Sequence, residues 1–195
     1  MLVNEVFDLV YVINLDRRKD RLDLISNSLD SMNIEATRIR AVDCKELNIS
    51  PLEACALSHR VVIEHAILSH HKNILILEDD AQFVDNFIDE FSTVMSEIPQ
   101  DWQMIHFGSA ETRGKMISDR VKRSTYALTS HAIAMDQSVF SDFLAANRLD
   151  RHVDEVYGSL MEKVNAYTVH PSIIKQAAGY SDISNLTMSY DHLIH

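Results

Sequence analysis

Residues 74–80 read Ile-Leu-Ile-Leu-Glu-Asp-Asp, a run of four apolar residues that ends abruptly in three carboxylates. An apolar run this short and uninterrupted is typical of a strand buried on both faces. Residues 7–15 (FDLVYVINL) predict a second buried strand, which runs into the charged segment 16–21 (DRRKDR). Because ligands of open α/β sheets bind beyond the carboxyl ends of the strands, both charged clusters lie where a ligand is expected.

The rest of the chain alternates between strand-like and helix-like patterns. Ser50-Pro51-Leu52-Glu53 is a strong helix start, with Ser as the N-cap and Pro in the first turn. The pattern predicts strands at 7–15, 36–42, 74–77, 104–107, 126–135 and 164–169, helices at 22–32, 51–70, 83–98 and 136–147, and a loop at 111–123. This order predicts one α/β domain, residues 1–195, with a mostly parallel central sheet flanked by helices.

Composition and charge narrow the class of protein. The chain has 195 residues, 46% of them hydrophobic, which suits an ordinary globular domain and excludes a disordered chain. With 18 Lys and Arg against 29 Asp and Glu, the net charge is −11, which argues against a general nucleic-acid binder. An anionic substrate must therefore meet a metal ion or a local cationic site.

Cysteine content and hydropathy bear on the cellular compartment. Cys44 and Cys55 are spaced for neither a disulfide framework nor a zinc ribbon. The first residues lack the basic start and apolar run of a signal peptide, and no stretch approaches the ~18 apolar residues of a membrane span. We therefore expect a reduced, cytoplasmic protein, with peripheral membrane contact left open.

The acidic cluster after residue 77 could bind a divalent cation. In an extended turn, residues two apart point the same way, so Glu78 and Asp80 can face one ligand while Asp79 points elsewhere. Two carboxylates at this spacing suit Mg²⁺ or Mn²⁺, with phosphate oxygens and water as further ligands. The alternative is a solvated acidic turn or a helix cap, both of which also favour acidic residues.

The basic cluster after the first strand has two interpretations. Arg17, Arg18, Lys19 and Arg21 offer hydrogen-bond donors to phosphate, and a guanidinium group can bind it through two parallel bonds. Alternatively, they form a charged first helical turn paired with nearby aspartates, which the segment taken alone favours. The chain has only 4 glycines, which disfavours a Walker loop or a GxGxxG nucleotide fingerprint.

Three residues late in the chain carry chemistry that a cleft could use. His170 ends a predicted strand, where it could supply a third metal ligand or serve only the structure. Asp154 and Glu155 begin a predicted helix, where acidic side chains stabilise the helix dipole. Either carboxylate could instead act as a general base.

Six short segments, in order along the chain, match a known family. They are VYVINLDRRKDR (10–21), RIRAVD (38–43), ACALSH (54–59), LILEDDA (75–81), HPSIIKQ (170–176) and SDIS (181–184). With these segments the sequence resembles glycosyltransferase family 25, which includes lipooligosaccharide glycosyltransferases and collagen galactosyltransferases. The matches cover nearly the whole chain and are most specific up to Phe107.

The resemblance implies a GT-A-like nucleotide-diphospho-sugar transferase fold. Residues 1–107 would form the nucleotide-sugar-binding half, and residues 108–195 would form the acceptor side. The implied reaction moves a sugar, commonly galactose, with inversion from a UDP-sugar to a saccharide or glycolipid acceptor, in surface-glycan or lipooligosaccharide synthesis. Two competing hypotheses are a catalytically silent sugar-nucleotide or glycan-binding member and a metal-dependent phosphohydrolase.

The same resemblance implies roles for individual residues. Mn²⁺ or Mg²⁺ would bind Asp80, with Glu78 facing the ribose or a metal-bound water and His170 as a late metal ligand. Asp154 is the expected base for the acceptor hydroxyl, with Glu155 as the second choice. The predicted nucleotide-pocket residues are Asn14, Asp16, Arg17, Arg21, Asp43, Ser58, His59, Glu78 and Asp79.

The chain also departs from the family pattern. It is shorter than the family leads us to expect, with the loss at the C-terminal end, so acceptor binding or membrane attachment would be reduced, absent or supplied by a partner. The basic segment 113–123 is a solvated loop, a flap over the donor, or a contact with anionic lipid or glycan. Oligomeric state stays open, and no nucleic-acid partner is expected.

Overall fold

A computed structural model of the protein describes residues 1–110, 112–181 and 186–188, and a large sheet runs through its centre. The helices are α1 (Val3–Val6), α2 (Lys19–Ser31), α3 (Cys44–Leu47), α4 (Pro51–Leu68), α5 (Phe87–Glu97), α6 (Phe140–Ala146) and α7 (Val153–Met161), with a 3₁₀ turn at Gln137–Val139. The strands are β1 (Leu9–Asn14), β2 (Ala36–Arg40), β3 (Asn73–Glu78), β4 (Ala81–Phe83), β5 (Met104–His106), β6 (Thr112–Met116), β7 (Val121–Ala127), β8 (Ala132–Asp136), β9 (Ala166–Val169), β10 (Ile174–Gln176), β11 (Gly179–Ser181) and β12 (Leu186–Met188). Residue 111 and residues 182–184 of the last matched segment lie outside the described residues.

The central sheet contains eight strands in the order β2-β1-β3-β8-β5-β9-β7-β6. β1 pairs in parallel with β2 and β3, with Val10 opposite both Ala36 and Leu75. Of these eight strands, β8 and β7 run against the common direction of the other six. The predicted α/β class with a mostly parallel sheet is thus confirmed. Because β8 lies between β3 and β5, both predicted halves share one sheet, and their division into donor and acceptor sides stays a prediction.

Each face of the sheet has its own hydrophobic core. In β3, Leu75 and Leu77 pack into one core while Ile74 and Ile76 pack into the other, and all four are buried. Helices α2 and α5 contribute to the first core, and α4, α6 and α7 contribute to the second. Because neither face of β3 can shift without exposing apolar surface, the position of its last residue is fixed.

Helix α4 begins where the sequence predicts. The Ser50 hydroxyl accepts a hydrogen bond from the Glu53 amide at 3.1 Å, and the Glu53 carboxylate accepts one from the Ser50 amide at 2.9 Å. The helix carries Ser58 and His59 on its buried side. Among the described residues, no helix is both long enough and apolar enough to cross a membrane.

Three sequence predictions are wrong, each where pairing between distant segments overrides the local pattern. The predicted loop at 111–123 instead supplies β6 and the start of β7, which form a hairpin at the edge of the sheet. The predicted strand at 126–135 is split between β7 and β8, which occupy separate places in the sheet. The helix predicted from Phe83 begins at Phe87, because Phe83 belongs to β4 and pairs with Ile174 of β10.

Gly108 lies just beyond β5, where the chain passes close to β10. A methyl group at Gly108 would lie 1.9 Å from the Ile174 carbonyl oxygen and 2.7 Å from Nε2 of His131. We therefore expect Gly108→Ala to lower the free energy of unfolding by about 1–3 kcal/mol through overpacking. Gly158→Ala is the matched control, because its methyl group would meet the Tyr126 side chain at 3.2 Å and a backbone oxygen, that of Ala127, only at 3.4 Å. Urea denaturation compares the variants, and equal effects would contradict the close approach.

Candidate functional site

A cavity of about 130 Å³ lies at the carboxyl ends of β1 and β3, beside the first turns of α4. We call it the acidic cavity. Its charged and strongly polar lining residues are Arg17, Arg21, Ser58, His59, Glu78, Asp79, Asp80 and Gln176. Three carboxylates and two guanidinium groups thus share one space, at the sheet edge where the sequence predicts a ligand.

Glu78, the last residue of β3, is held as a carboxylate. The Ser130 hydroxyl donates a hydrogen bond to it, and Nε2 of His59 lies 3.4 Å from its Oε1, within ion-pair distance. Burial raises the pKa of Glu78, but His59 and Ser130 outweigh burial, so this pKa lies below its usual range. Glu78 therefore brings a negative charge into the centre of the site.

Asp79 and Asp80 form the turn after β3, and Arg21 pairs with both. The guanidinium lies 2.9 Å from Asp79 and 3.3 Å from Asp80. Asn14 also donates to Asp79 at 2.7 Å, and Gln176 donates to Asp80 at 3.3 Å. The expectation that Asp79 points away from the ligand is wrong, because the alternation of side chains ends with the strand and Asp79 lines the same cavity.

One oxygen of Asp80 is buried without a hydrogen-bond partner among the described residues. Burial raises the pKa of Asp80 to about 7, and the negative charge of Glu78 adds to that effect. Burial also raises the pKa of Asp79, although Arg21 and Asn14 oppose it. The cavity therefore contains more negative charge than its own cations balance, and a bound cation would relieve the imbalance.

Of the basic residues after β1, some line the cavity, as the phosphate-binding interpretation predicts, and one pairs within the first helical turn, as the alternative predicts. Arg17 lines the cavity and forms an ion pair with Asp43, the N-cap of α3. Arg18 pairs with Asp20 at 2.9 Å, as expected of a charged helical turn. Arg17 and Arg21 are thus the two arginines that the described chain places at the cavity.

Asn14 and Asp16 lie next to the cavity lining rather than in it. Asp16 accepts hydrogen bonds from Arg38 and Arg40, which lower its pKa. Asn14 is buried and accepts a hydrogen bond from Nε of Arg38 at 3.0 Å while donating to Asp79. Asn14 therefore orients a carboxylate of the cavity instead of facing a ligand itself.

Ser58 and His59 are buried on α4, and both line the cavity. The Ser58 hydroxyl donates to the Ala54 carbonyl at 2.7 Å and accepts from the Val42 amide at 2.9 Å, which ties the segment before α3 to the helix. Nδ1 of His59 lies 2.9 Å from the hydroxyl of Tyr157, a fully buried residue of α7. His59 thus bridges Glu78 and α7.

Three residues missed by the sequence analysis complete the surroundings of the carboxylates. Ser130 lies in the turn before β8, Tyr157 lies on α7, and Gln176 ends β10. Gln176 had one signal, its place at the end of the matched segment HPSIIKQ. The contacts of all three depend on the order of strands in the sheet, which hydrophobic patterns do not encode.

The structure does not bring His170, Asp154 or Glu155 into the lining of the acidic cavity. His170 is exposed after β9 and lines a second cleft. Asp154 is half-buried in the first turn of α7, the helix whose Tyr157 contacts His59 of the cavity wall. Glu155 is exposed on the same helix. In the part of the chain that the structure describes, no three His, Cys, Asp or Glu side chains are grouped as a metal site.

Comparison with known proteins identifies the family. Residues 50–194 match the family profile described as glycosyltransferase family 25 (LPS biosynthesis protein), which is more than half of the chain. The chain belongs to glycosyltransferase family 25. The family predicted from the short segments is thereby confirmed, and glycosyltransferase is the enzyme class of that family.

Curated relatives of the family-25 chain are much longer proteins. Procollagen galactosyltransferase 2 of Homo sapiens is 33% identical over 129 residues, which cover 52% of this chain and 21% of that protein. Procollagen lysyl hydroxylase and glycosyltransferase of Acanthamoeba polyphaga mimivirus is 27% identical over 222 residues, covering 85% of this chain and 24% of that protein. The chain thus spans about a fifth to a quarter of the length of these relatives.

Two solved structures share the fold of the family-25 chain. A glycosyltransferase involved in the glycosylation of the major capsid of PBCV-1 gives a TM-score of 0.59 at 8% identity, covering 95% of this chain and 98% of its own. A197 from STIV gives a TM-score of 0.52 at 13% identity, covering 86% and 82%. At this identity the likeness concerns the fold alone, and it confirms the GT-A-like architecture implied by the resemblance.

The raised pKa of Asp80 predicts a pH-dependent stability. Its neutral form is favoured in the folded protein, so the stability associated with Asp80 is complete below its ordinary pKa and is lost as the pH rises through about 7. We expect Asp80→Asn to exceed the wild type in free energy of unfolding by on the order of a few kcal/mol at pH 8, and to match it near pH 4.

Urea denaturation across this pH range, with a chelator present, measures the difference. Asp16→Asn is the control, because Arg38 and Arg40 hold the pKa of Asp16 below its usual value, so this variant gains no stability at high pH. A difference between Asp80→Asn and wild type that stayed constant from pH 4 to 8 would contradict the prediction.

Proposed function

We propose that the chain transfers a hexose, with galactose as the first candidate, from a UDP-sugar to a saccharide acceptor, with inversion and with the help of Mn²⁺ or Mg²⁺. The observation that carries this proposal is the acidic cavity of a family-25 chain, where three carboxylates and two arginines meet at the carboxyl edge of the sheet. This combination suits a diphosphate bridged by a cation.

The residues of the acidic cavity fit a divalent cation. Asp80 has a buried oxygen without a partner among the described residues, and Glu78 is held ionised beside it. Carboxylate oxygens are the ligands that Mg²⁺ and Mn²⁺ prefer. Asp80 would therefore hold the ion, and Glu78 would contribute a second carboxylate. His170 stays a predicted ligand, although it lines the separate cleft. When bound, the ion supplies Lewis-acid stabilisation of the leaving diphosphate.

The chain's own residues would bind and orient the donor. Arg17 and Arg21 line the cavity and present guanidinium groups to the diphosphate. Asp43 and Asp79 hold these two arginines through ion pairs, so each guanidinium is positioned before a ligand arrives. Ser58 fixes the neighbouring segment of the wall through the Val42 amide.

The base remains Asp154, with Glu155 as the second choice. Inversion needs one group that removes a proton from the acceptor hydroxyl on the face opposite the leaving group. Asp154 is half-buried in the first turn of α7, whereas Glu155 is exposed. The helix that carries Asp154 is anchored beside the cavity by the contact between Tyr157 and His59.

The names of the relatives support the sugar and the setting. Procollagen galactosyltransferase 2 favours galactose as the transferred sugar, and the family description favours a glycan or glycolipid acceptor in surface-glycan synthesis. A cytoplasmic location, with peripheral membrane contact through the basic β6–β7 hairpin, belongs to the same proposal.

A second candidate is a silent sugar-nucleotide or glycan-binding module. Relatives named probable inactive glycosyltransferase 25 family member 3, in Bos taurus and Rattus norvegicus, support it. Arg21 also supports this candidate, because its guanidinium pairs with Asp79 and Asp80 and so takes the place of a metal cation. Binding of donor without turnover would favour this candidate.

Donor binding should depend on Asp80 and on the metal. We expect UDP to bind at least about tenfold more tightly with Mn²⁺ than without it, because the ion offsets repulsion between diphosphate and carboxylates. Isothermal titration of UDP and UDP-galactose should show this gain lost in Asp80→Ala and kept in Asp20→Ala, a control on the exposed side of α2. Metal-independent binding, or none under any condition, would argue against the proposal.

Turnover should depend on Asp154. We expect Asp154→Asn to lower the rate of UDP release from UDP-galactose about 10²–10⁴-fold in the presence of methyl glycoside acceptors, with UDP affinity unchanged, because a general base is worth that much. The neighbouring Glu155→Gln variant serves as the control and should stay near the wild-type rate. Near-normal turnover in Asp154→Asn would remove this assignment.

A further inference from the structure

A second cleft of about 820 Å³ adjoins the acidic cavity, and the proposed donor site leaves it unused. Its walls come from β4, β6, β7, β9 and β10, from the turn after β9, and from the segments that follow β5 and precede β8. Gln176 lines both spaces, and its amide donates to Asp80 at 3.3 Å. Because the two spaces meet at this side chain, a molecule in the second cleft would lie next to the carboxylates.

The second cleft differs from the rest of the protein in charge. The chain has a net charge of −11, yet none of the described residues that line the cleft is an Asp or a Glu. Lys122 and Lys175 line it, and in the described part of the chain neither lysine has an ion-pair partner. The Lys122 ammonium donates to the hydroxyl of Thr112 on the neighbouring strand. Two ammonium groups without carboxylates, in an acidic protein, suit an anionic ligand.

Buried polar groups in the wall of the second cleft indicate a site rather than a surface groove. Thr168 and His131 are 2% and 3% exposed, and within the described residues Oγ of Thr168 and Nδ1 of His131 have no hydrogen-bond partner. Nε2 of His131 lies 3.1 Å from the Ile174 carbonyl oxygen, so it carries the proton and leaves Nδ1 as an acceptor. Unsatisfied buried polar atoms cost free energy, which a polar ligand or water can recover.

Hydroxyl-bearing and apolar residues share the remainder of the lining. The hydroxyls of Ser109 and Thr129 already donate to the carbonyl groups of Leu128 and Gly108, so it is as acceptors that they suit the hydroxyls of a sugar ring. Ala110, Val169, Pro171, Ile174 and Ala178 supply the apolar part of the lining. The two lysines, with hydroxyl groups beside them, match a sugar that also carries negative charge.

We propose that the second cleft binds the acceptor and selects a saccharide that carries a carboxylate or a phosphate group. This inference rests on the proposed function, since an acceptor is defined by the sugar donor beside it. Lys122 and Lys175 pair with the anionic group, while the hydroxyl-bearing wall and Gln176 bind the ring next to the donor. The two arginines of the acidic cavity, each held by ion pairs, remain the groups proposed to bind the donor diphosphate.

Titration with three matched probes tests the inference: methyl β-glucoside, methyl β-glucuronide and the 6-phosphate of methyl β-glucoside. We expect at least one anionic probe to bind about tenfold more tightly than the neutral one, because charge-assisted hydrogen bonds are about twice as strong as neutral ones. The stronger of the two identifies carboxylate or phosphate. The double variant Lys122→Gln/Lys175→Gln should abolish the preference. The control variant Lys115→Gln should keep it, because Lys115 is exposed on the β6–β7 hairpin and lies outside the cleft lining.

The titrations are run both with and without UDP and Mn²⁺, which separates the two proposals. Equal binding of neutral and anionic probes by the wild type overturns the inference, and so does an unchanged preference in the folded double variant. Loss of UDP binding with the anionic preference intact counts against the proposed function and leaves the anion site standing. If the double variant does not fold, each single lysine variant is titrated instead and should lose part of the preference.

Discussion

The three carboxylates at the end of one buried strand are the constraint on which the site depends. Glu78, Asp79 and Asp80 stand where β3 leaves two hydrophobic cores, so they cannot move into water without exposing apolar surface. Groups from separate elements stabilise these charges: Arg21 from α2, His59 from α4, and the neutral amide of Gln176 from β10 through a hydrogen bond. The balance is incomplete at Asp80, and the remaining charge makes this edge of the sheet a place for a cation.

The same electrostatic demand connects the donor side of the site to α7. His59 lies between the Glu78 carboxylate and the Tyr157 hydroxyl, so one imidazole ring contacts both β3 and α7. Asp154 lies three residues before Tyr157, and residues three apart share a helix face. Because the contact at Tyr157 fixes α7, it also fixes the position of Asp154. The buried Glu78 carboxylate therefore helps, through His59, to position the Asp154 carboxylate.

Sequence patterns were sufficient where a short segment determines its own environment. The run at 74–77 is buried on both faces because it is apolar throughout, and the turn after it lies at the carboxyl edge that β3 shares with its parallel neighbour β1. Sequence patterns were insufficient where a residue's contacts come from segments that are distant in the sequence. β6 is a largely exposed edge strand without apolar alternation, and the pairing of Phe83 with Ile174 joins segments 91 residues apart (174 − 83 = 91). Ser130, Tyr157 and Gln176 were missed for the same reason.

The acidic cavity and the second cleft differ in charge, and this difference suits a reaction in which both the donor and the acceptor are anions. A diphosphate and an anionic acceptor brought into adjacent spaces repel each other, and in a partly buried site the repulsion is stronger than in water. In the described residues, the acidic cavity meets this demand with arginines and carboxylates that favour a cation, while the second cleft relies on lysines without carboxylates. Gln176, which is uncharged and lines both, allows the two spaces to meet without either set of charges neutralising the other.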